Sequence, residues 1–260
     1  MLRVTSIAAA TATLLAVLGT NAVAAVPASR QESMVPVPSS KAALMRATKE
    51  ALRMPIGERI ETLQQQGPQG YRNLVGLMMD DAQPMETRWK AVTSVGLIGR
   101  AESKPELERA LKHNEWYMRN AGLVAMVGAD RASASRWAKA LLSDKAAIVR
   151  AAAVDAIVEM RDTSSKELLW KKLYAKENFR HGKSLFVRKR ILEALTHLEG
   201  PGREQKFVQI LSDKDESLHP YAIAALEKIT NQSLGANTEP TKIRRELWQK
   251  WWKEKAQAKL

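Results

Sequence analysis

The chain contains no cysteine among its 260 residues. It therefore has no disulfide framework and no cysteine that could carry the lipid anchor of a lipoprotein. Gly-x-Ser-x-Gly and His-Glu-x-x-His motifs are also missing, and Gly182-Lys183-Ser184 does not complete a phosphate-binding loop because position 177 is Glu instead of Gly. The four histidines lie far apart in the sequence. These absences predict a protein that is not an enzyme and that uses neither a metal nor a cofactor.

The apolar run at the start of the chain is too short and wrongly flanked for a membrane-spanning helix. Met1-Leu2-Arg3 is a charged start, Ile7 to Leu18 is apolar, and Ala22-Val23-Ala24 offers the small residues of a cleavage site. This order predicts a cleavable signal peptide over residues 1–25, with an uncleaved N-terminal anchor as the alternative. We therefore expect a periplasmic or secreted protein with no transmembrane segment in its mature chain.

A short pattern recurs along the chain in a fixed phase. Arg88, Arg119, Arg150, Arg188 and His219 mark equivalent positions, and the steps between them are 31, 31, 38 and 31 residues. The residues three, four, six and seven positions after each marker are mostly apolar or small, and these offsets lie on one face of a helix. A fixed period of this length predicts a solenoid, in which each unit buries its apolar face against its neighbours.

Helical signals dominate from Lys41 onward, and no window of alternating Val, Ile and Thr indicates a strand. We predict an all-α fold, an α-solenoid in which antiparallel helix pairs form a right-handed superhelix. The predicted organisation is a signal peptide (1–25), a Pro/Ser-rich tether (26–40), the solenoid (41–235) and a Trp-rich capping helix (236–260). Trp248, Trp251 and Trp252 either cap the end of the core, which we favour, or lie at a membrane surface.

The segment Leu141–Ile157 reads Leu-Leu-x-Asp-x-x-x-x-Val-Arg-x-x-Ala-Val-x-Ala-Ile and resembles a short HEAT-like repeat of about 31 residues. The resemblance covers about Pro55 to Thr230, and the segments Ala225–Gly235 and Trp248–Trp252 are similar to the closing part of bacterial exported HEAT-repeat proteins. It implies an α-solenoid used for binding and implies no activity. The chain departs from the pattern at His219-Pro220, and it lacks the Thr-Pro-Leu-His signature of ankyrin repeats, the nearest rival by period.

The formal net charge of +13 is concentrated in two stretches. Between Lys166 and Arg190 nine basic residues face two acidic ones, and between Thr241 and Lys259 seven face two. The first stretch contains the seven additional residues of the fourth unit, which we place within or close to Lys176–Ser184. Loops inserted on a solenoid commonly lie on a functional face, whereas a solvated basic surface that maintains solubility is the competing interpretation.

We predict that this basic loop binds a partner and that the in-phase arginines form a secondary site. The predicted binding residues are Lys171, Lys172, Lys176, Phe179, Arg180, Lys183, Arg188, Arg119 and Arg150. For the arginines, pairing with linker carboxylates such as Asp144 or with helix ends is favoured over an anion-binding stripe, because buried arginine is normally paired.

The predicted function is that of a non-enzymatic, exported protein–protein interaction scaffold. Its partner would be another protein with an acidic contact surface. The alternative is direct binding of an anionic envelope polymer or lipid surface through the basic loop, and export disfavours nucleic acid as the partner. A third possibility is an enzyme, or a regulatory subunit that docks onto an envelope enzyme.

Overall fold

The computed structural model describes residues 40–257, which fold almost entirely into helices. The helices are α1 Lys41–Ala51, α2 Ile56–Gln65, α3 Gly67–Met79, α4 Met85–Gly99, α5 Lys104–Leu111, α6 Trp116–Ala129, α7 Arg131–Leu141, α8 Ala147–Glu159, α9 Lys166–Leu173, α10 Val187–Leu198, α11 Glu204–Ile210, α12 His219–Thr230 and α13 Thr241–Gln257. The prediction of an all-α fold is confirmed. The predicted signal peptide and the tether up to residue 39 lie outside the described residues, and Ser40 caps α1 by accepting a hydrogen bond from the Ala43 amide.

The helices alternate between two layers, as a solenoid requires. Helices α4, α6, α8, α10 and α12 pack on one another in chain order and form a continuous layer. Each of α5, α7, α9 and α11 packs on the helix that follows it in the chain. Because every unit contacts mainly its neighbours, one apolar core runs through the stack.

Small residues allow neighbouring helices of the stack to approach closely. A Cβ atom added to Gly96 of α4 would lie 2.7 Å from the Ala125 Cβ of α6. One added to Gly122 of α6 would lie 3.1 Å from atoms of Leu111 in α5. These distances are shorter than ordinary carbon–carbon contacts, so both helix pairs depend on the missing side chain.

The seven additional residues of the fourth unit build a small β-hairpin between α9 and α10. Strand β1 (Phe179–Arg180) pairs antiparallel with β2 (Lys183–Ser184), so that Phe179 lies opposite Ser184. Its two-residue turn, His181-Gly182, has φ angles of 51° and 73°. Positive φ at both positions is typical of a type I′ turn, whose twist matches that of the strands. Two-residue strands are too short for an alternating pattern, so the sequence carried no strand signal here.

Two glycine-containing segments belong to helices. The first turn of α3 is formed by Gly67-Pro68-Gln69-Gly70. The chain reverses at Gly67, which has a positive φ of 62° that glycine adopts without steric cost. Gly128 lies inside α6, which continues to Ala129.

Helix α13 packs on α11 and α12 and covers the C-terminal end of the stack. Trp248 is completely buried there, and its ring centroid lies 5.2 Å from that of Trp251 in an edge-to-face arrangement. The Gln249 side chain donates to the Leu211 carbonyl at 3.4 Å. This packing is the one expected of a helix that closes a repeat array.

Candidate interaction surface

Arg119 is buried and connects two consecutive units. Its Nε and Nη2 atoms donate to Asp144 Oδ2 and Oδ1 at 2.6 and 2.7 Å. Its Nη1 atom donates to the carbonyl oxygens of His113 and Asn114 at 2.8 and 2.6 Å. Pairing of an in-phase arginine with a linker carboxylate, the interpretation favoured from the sequence, is confirmed at this position.

Arg188 makes the equivalent contacts one repeat before the last. Its Nη2 donates to Asp213 Oδ2 at 2.5 Å, and its Nε donates to the Leu173 carbonyl at 2.9 Å. The remaining nitrogen, Nη1, reaches the hairpin and donates to Ser184 Oγ at 2.6 Å. The guanidinium also lies 4.6 Å from the centre of the Phe179 ring, a cation–π distance. Arg188 therefore holds the hairpin against the solenoid.

Arg150 and Arg88 occupy the equivalent positions of their units. Arg150 bonds to neutral groups, and Arg88 bonds to both a neutral and a charged group. Arg150 Nε donates to Asn178 Oδ1 at 2.8 Å, and its Nη1 donates to the Asp144 carbonyl at 2.7 Å. Burial lowers the pKa of Arg150. Arg88 donates from Nη1 to the Tyr117 hydroxyl at 2.9 Å and also pairs with Asp81 at 2.8 Å. Each arginine thus reaches the following unit, whatever residue that unit offers.

We call these four residues, Arg88, Arg119, Arg150 and Arg188, the arginine ladder. All four are buried, and His219 takes the next position, with its Nε2 atom 3.0 Å from the Asp213 carbonyl oxygen. Side chains that are buried and bonded within the chain offer no exposed surface to a partner. We therefore remove Arg119, Arg150 and Arg188 from the candidate surface and assign them to the joining of the repeats.

A second series of ion pairs also joins consecutive units, and sequence reasoning missed it. The pairs are Lys104–Asp130 at 3.2 Å, Lys139–Asp162 at 3.2 Å and Lys166–Glu199 at 3.4 Å. The signal of the first two pairs was present, because Asp130 and Asp162 each precede a serine by two or three residues in the manner of a helix cap.

Hydrogen bonds stabilise the charged carboxylate of Asp130 at the start of α7. It accepts hydrogen bonds from the Ser133 hydroxyl at 2.7 Å and from the Ser133 and Ala132 amides, both at 3.1 Å. These bonds, with the one from the Ser133 hydroxyl largest, lower the pKa of Asp130 to about 2.

The basic residues around the hairpin fall into two groups. Lys171, Lys176, Arg180 and Lys183 are exposed, and none of them forms an ion pair with another residue between 40 and 257. Lys172 instead donates to Ser143 Oγ at 2.6 Å and to Glu177 Oε1 at 2.7 Å. The structure therefore leaves four of the predicted cations exposed on the segment from α9 to β2, whereas Lys172 is bonded within the chain.

Two exposed aromatic side chains belong to the same stretch of the chain. Tyr174 is 53% exposed and Phe186 is 52% exposed. Both line a surface depression of about 760 Å³ beside the hairpin, together with Phe179 and Lys183. Asp213 and Asp215 also line it, so the depression itself is of mixed charge. Phe186 was missed from the sequence, although an aromatic residue immediately before a repeat helix was its signal.

We call the set Lys171, Tyr174, Lys176, Arg180, Lys183 and Phe186 the hairpin surface.

A second depression, of about 740 Å³, is a groove lined by residues of α6, α8, α10 and α12. Among residues 40–257 no cluster of three or more His, Cys, Asp or Glu side chains could hold a metal ion. Within the same residues no helix has the length and apolar character needed to cross a membrane.

Comparisons with known proteins give no family. No family model and no curated protein matches the chain. The chain is similar to an engineered protein of known crystal structure at 16% sequence identity, over 74% of this chain and 92% of the engineered one, with a TM-score of 0.46.

Proposed function

We propose that the protein is an exported, non-enzymatic scaffold of HEAT-like repeats that binds a partner protein through the hairpin surface. The observation that carries this proposal is the combination of two half-exposed aromatic rings with four exposed cations that have no ion-pair partner among residues 40–257. Aromatic residues and arginine are enriched at protein interfaces, where they supply much of the binding energy.

Rigid support of the hairpin favours this role. Arg188 fixes Ser184 and contacts the Phe179 ring, as described above. Just before the hairpin, Asn178 accepts from Arg150 and donates to the Lys172 carbonyl at 2.8 Å. A surface that is already ordered loses little conformational entropy on binding, so more of the contact energy appears as affinity.

The chemistry of the hairpin surface describes the partner. Its exposed cations attract a carboxylate-rich surface and accelerate the encounter. Its aromatic rings need an apolar counterpart in order to be buried. The proposed partner is therefore a protein whose contact patch is acidic with an apolar centre.

Binding of an anionic envelope polymer or lipid headgroup is the second candidate function. The unpaired cations alone support it, because a polyanion needs charge and no apolar contact. Salt separates the two candidates: raising the ionic strength from about 0.1 M to about 1 M shortens the Debye length from about 10 to about 3 Å and should release a polyanion. A packed protein interface should be less sensitive.

Crosslinking and affinity capture from native cell envelope test the proposal. One variant carries K171E, K176E, R180E and K183E, and a matched control carries K41E, R46E, R72E and R109E. Both sets reverse four exposed basic residues, and the control set lies on α1, α3 and α5, away from the hairpin. We expect the parent and the control to capture one protein that the hairpin variant loses. Equal capture by all three would make the hairpin a solvated surface only.

Replacing the aromatic residues tests the choice between partners. Tyr174→Ser with Phe186→Ser removes the apolar contact and leaves all four cations. Loss of the captured protein with this variant is expected of a packed interface. Retention of the captured material, together with its release at high salt, would instead favour a polyanion.

A further inference from the structure

The groove on the continuous helix layer is apolar and does not involve the hairpin. Its lining includes Val124, Val127, Ile148, Ala151 and Ala152. These residues come from α6 and α8, and Tyr221 of α12 lies at its far side. At about 740 Å³ the groove has the size of a ligand pocket and can receive several apolar side chains of a peptide.

The charges that border the groove are mainly acidic, in a chain of net charge +13. Three carboxylates, Asp155, Glu159 and Glu193, line it together with one guanidinium, that of Arg190. Arg190 is already occupied, because its Nε and Nη2 donate to Asp155 at 2.5 and 3.1 Å and its Nη1 donates to Glu193 at 3.3 Å. Little positive charge is left to receive an anion.

Among the charged residues that line the groove, Glu159 forms no ion pair with any residue between 40 and 257. It is half-buried at the end of α8, and its pKa is raised by burial, against the opposing attraction of Arg131. A half-buried carboxylate of this kind gains most from a cation brought by a ligand, since such a pair is shielded from water.

We propose that this groove binds an apolar peptide segment of a partner protein and that a lysine or arginine of the segment pairs with Glu159. The charge of the groove argues for this occupant, because an acidic segment would meet a lining of three carboxylates against one guanidinium and a neutral one would leave Glu159 unpaired. The hairpin surface and the groove use different side chains, so the scaffold can hold a basic apolar segment and an acidic protein at once. This inference does not depend on the hairpin.

Selection of displayed random peptides on the folded protein tests it, with the enriched peptides synthesised and titrated by fluorescence anisotropy. Glu159→Gln removes the carboxylate charge. Ala152→Trp fills the groove, and Ala132→Trp on the exposed part of α7 adds the same ring elsewhere as the control. Circular dichroism and melting temperature establish that each variant is folded.

We expect the enriched peptides to combine apolar residues with a lysine or arginine. Glu159→Gln should weaken their binding about tenfold, which corresponds to about 1.4 kcal/mol. Ala152→Trp should abolish binding and Ala132→Trp should leave it unchanged. A peptide whose lysine is replaced by Glu should fail with the parent and recover with Glu159→Lys. Failure to enrich any peptide, enrichment of acidic peptides, or binding that is indifferent to Ala152→Trp would overturn the proposal. None of these results would alter the hairpin test, which uses other residues.

Discussion

Arg119 and Asp144, 25 residues apart, join two consecutive repeats by two hydrogen bonds between one guanidinium and one carboxylate. Their side chains are only 7% and 6% exposed. Burial alone would raise the pKa of Asp144, but the bonds from Arg119 and from the Ala146 amide outweigh it and lower that pKa. The contact therefore keeps the Asp144 carboxylate charged inside the stack, and it recurs in modified form at each step of the arginine ladder.

Removing Arg119 should destabilise the protein strongly. Arg119→Ala leaves the Asp144 carboxylate buried without its partner, for which a loss of about 3–5 kcal/mol in the free energy of unfolding is expected. Arg53→Ala breaks an exposed pair with Glu50 and should have little effect. Urea denaturation measures both. The Arg119→Ala/Asp144→Ala double variant should lose less than the sum of its single variants. Equal losses for Arg119→Ala and Arg53→Ala would show that the ladder does not join the repeats.

Acid should destabilise the protein through the cap residue Asp130. An aspartate in the unfolded chain has a pKa of about 3.9. Hydrogen bonds from Ser133 lower the pKa of folded Asp130 to about 2. A lowered pKa means that the folded state favours the carboxylate. Its contribution is complete above about pH 5 and is lost as pH falls from about 4 to about 2.

Asp130→Asn keeps a capping oxygen but cannot titrate. The difference in unfolding free energy between the parent and this variant should therefore shrink as pH falls from about 4 to about 2. Denaturant titrations at several pH values measure it. Ser133→Ala, which removes the largest cause of the shift, should also reduce the dependence on pH. A difference that stays constant over this range would contradict the assignment.

Two glycines should respond to alanine in opposite directions. In Gly96→Ala the new methyl group would lie 2.7 Å from the Ala125 Cβ, so α4 and α6 must separate and the protein should lose about 1–3 kcal/mol. Gly76 of α3 has no atom within 4 Å of its missing Cβ, and Gly76→Ala should stabilise the helix by about 0.5–1 kcal/mol. Melting temperatures measure both changes. Two changes of the same sign would contradict the close approach of α4 and α6.

Trp248 should account for much of the stability that α13 confers. It is completely buried, and Trp248→Ala is expected to cost about 3–5 kcal/mol. Ile243 lies on the same helix but is 45% exposed, so Ile243→Ala should have a small effect. Thermal unfolding compares the two variants. If Trp248→Ala unfolds like the parent, α13 is not a cap of the repeat core.

The repeat period predicted the helical stack because the spacing of Arg119 and Arg150 reflects a packing requirement that each unit must satisfy. The hairpin was not predictable, because its fold depends on two positive φ angles and on anchoring by Arg188, and neither leaves a periodic signal. The groove was also not predictable, since it arises between side chains that lie on four separate helices.

The candidate surface was predictable only in part. The concentration of positive charge identified the region, and four of its cations are exposed as expected. Charge counting could not separate Lys171 from its neighbour Lys172, because the partners of Lys172 come from a different repeat and from the turn before the hairpin. The position of Arg150 within the repeat period likewise could not show whether its side chain faces solvent or core.

Photocrosslinking at Phe186 determines whether the hairpin surface lies against a partner protein. A photoreactive phenylalanine replaces Phe186 in one variant and Met85, another exposed apolar residue at the start of α4, in a matched control. After irradiation in native cell envelope, we expect one discrete protein adduct at position 186 and none at position 85. That adduct should disappear when K171E, K176E, R180E and K183E are added. The same adducts at both positions, or no protein adduct at position 186, would contradict the claim that the hairpin surface binds a partner protein.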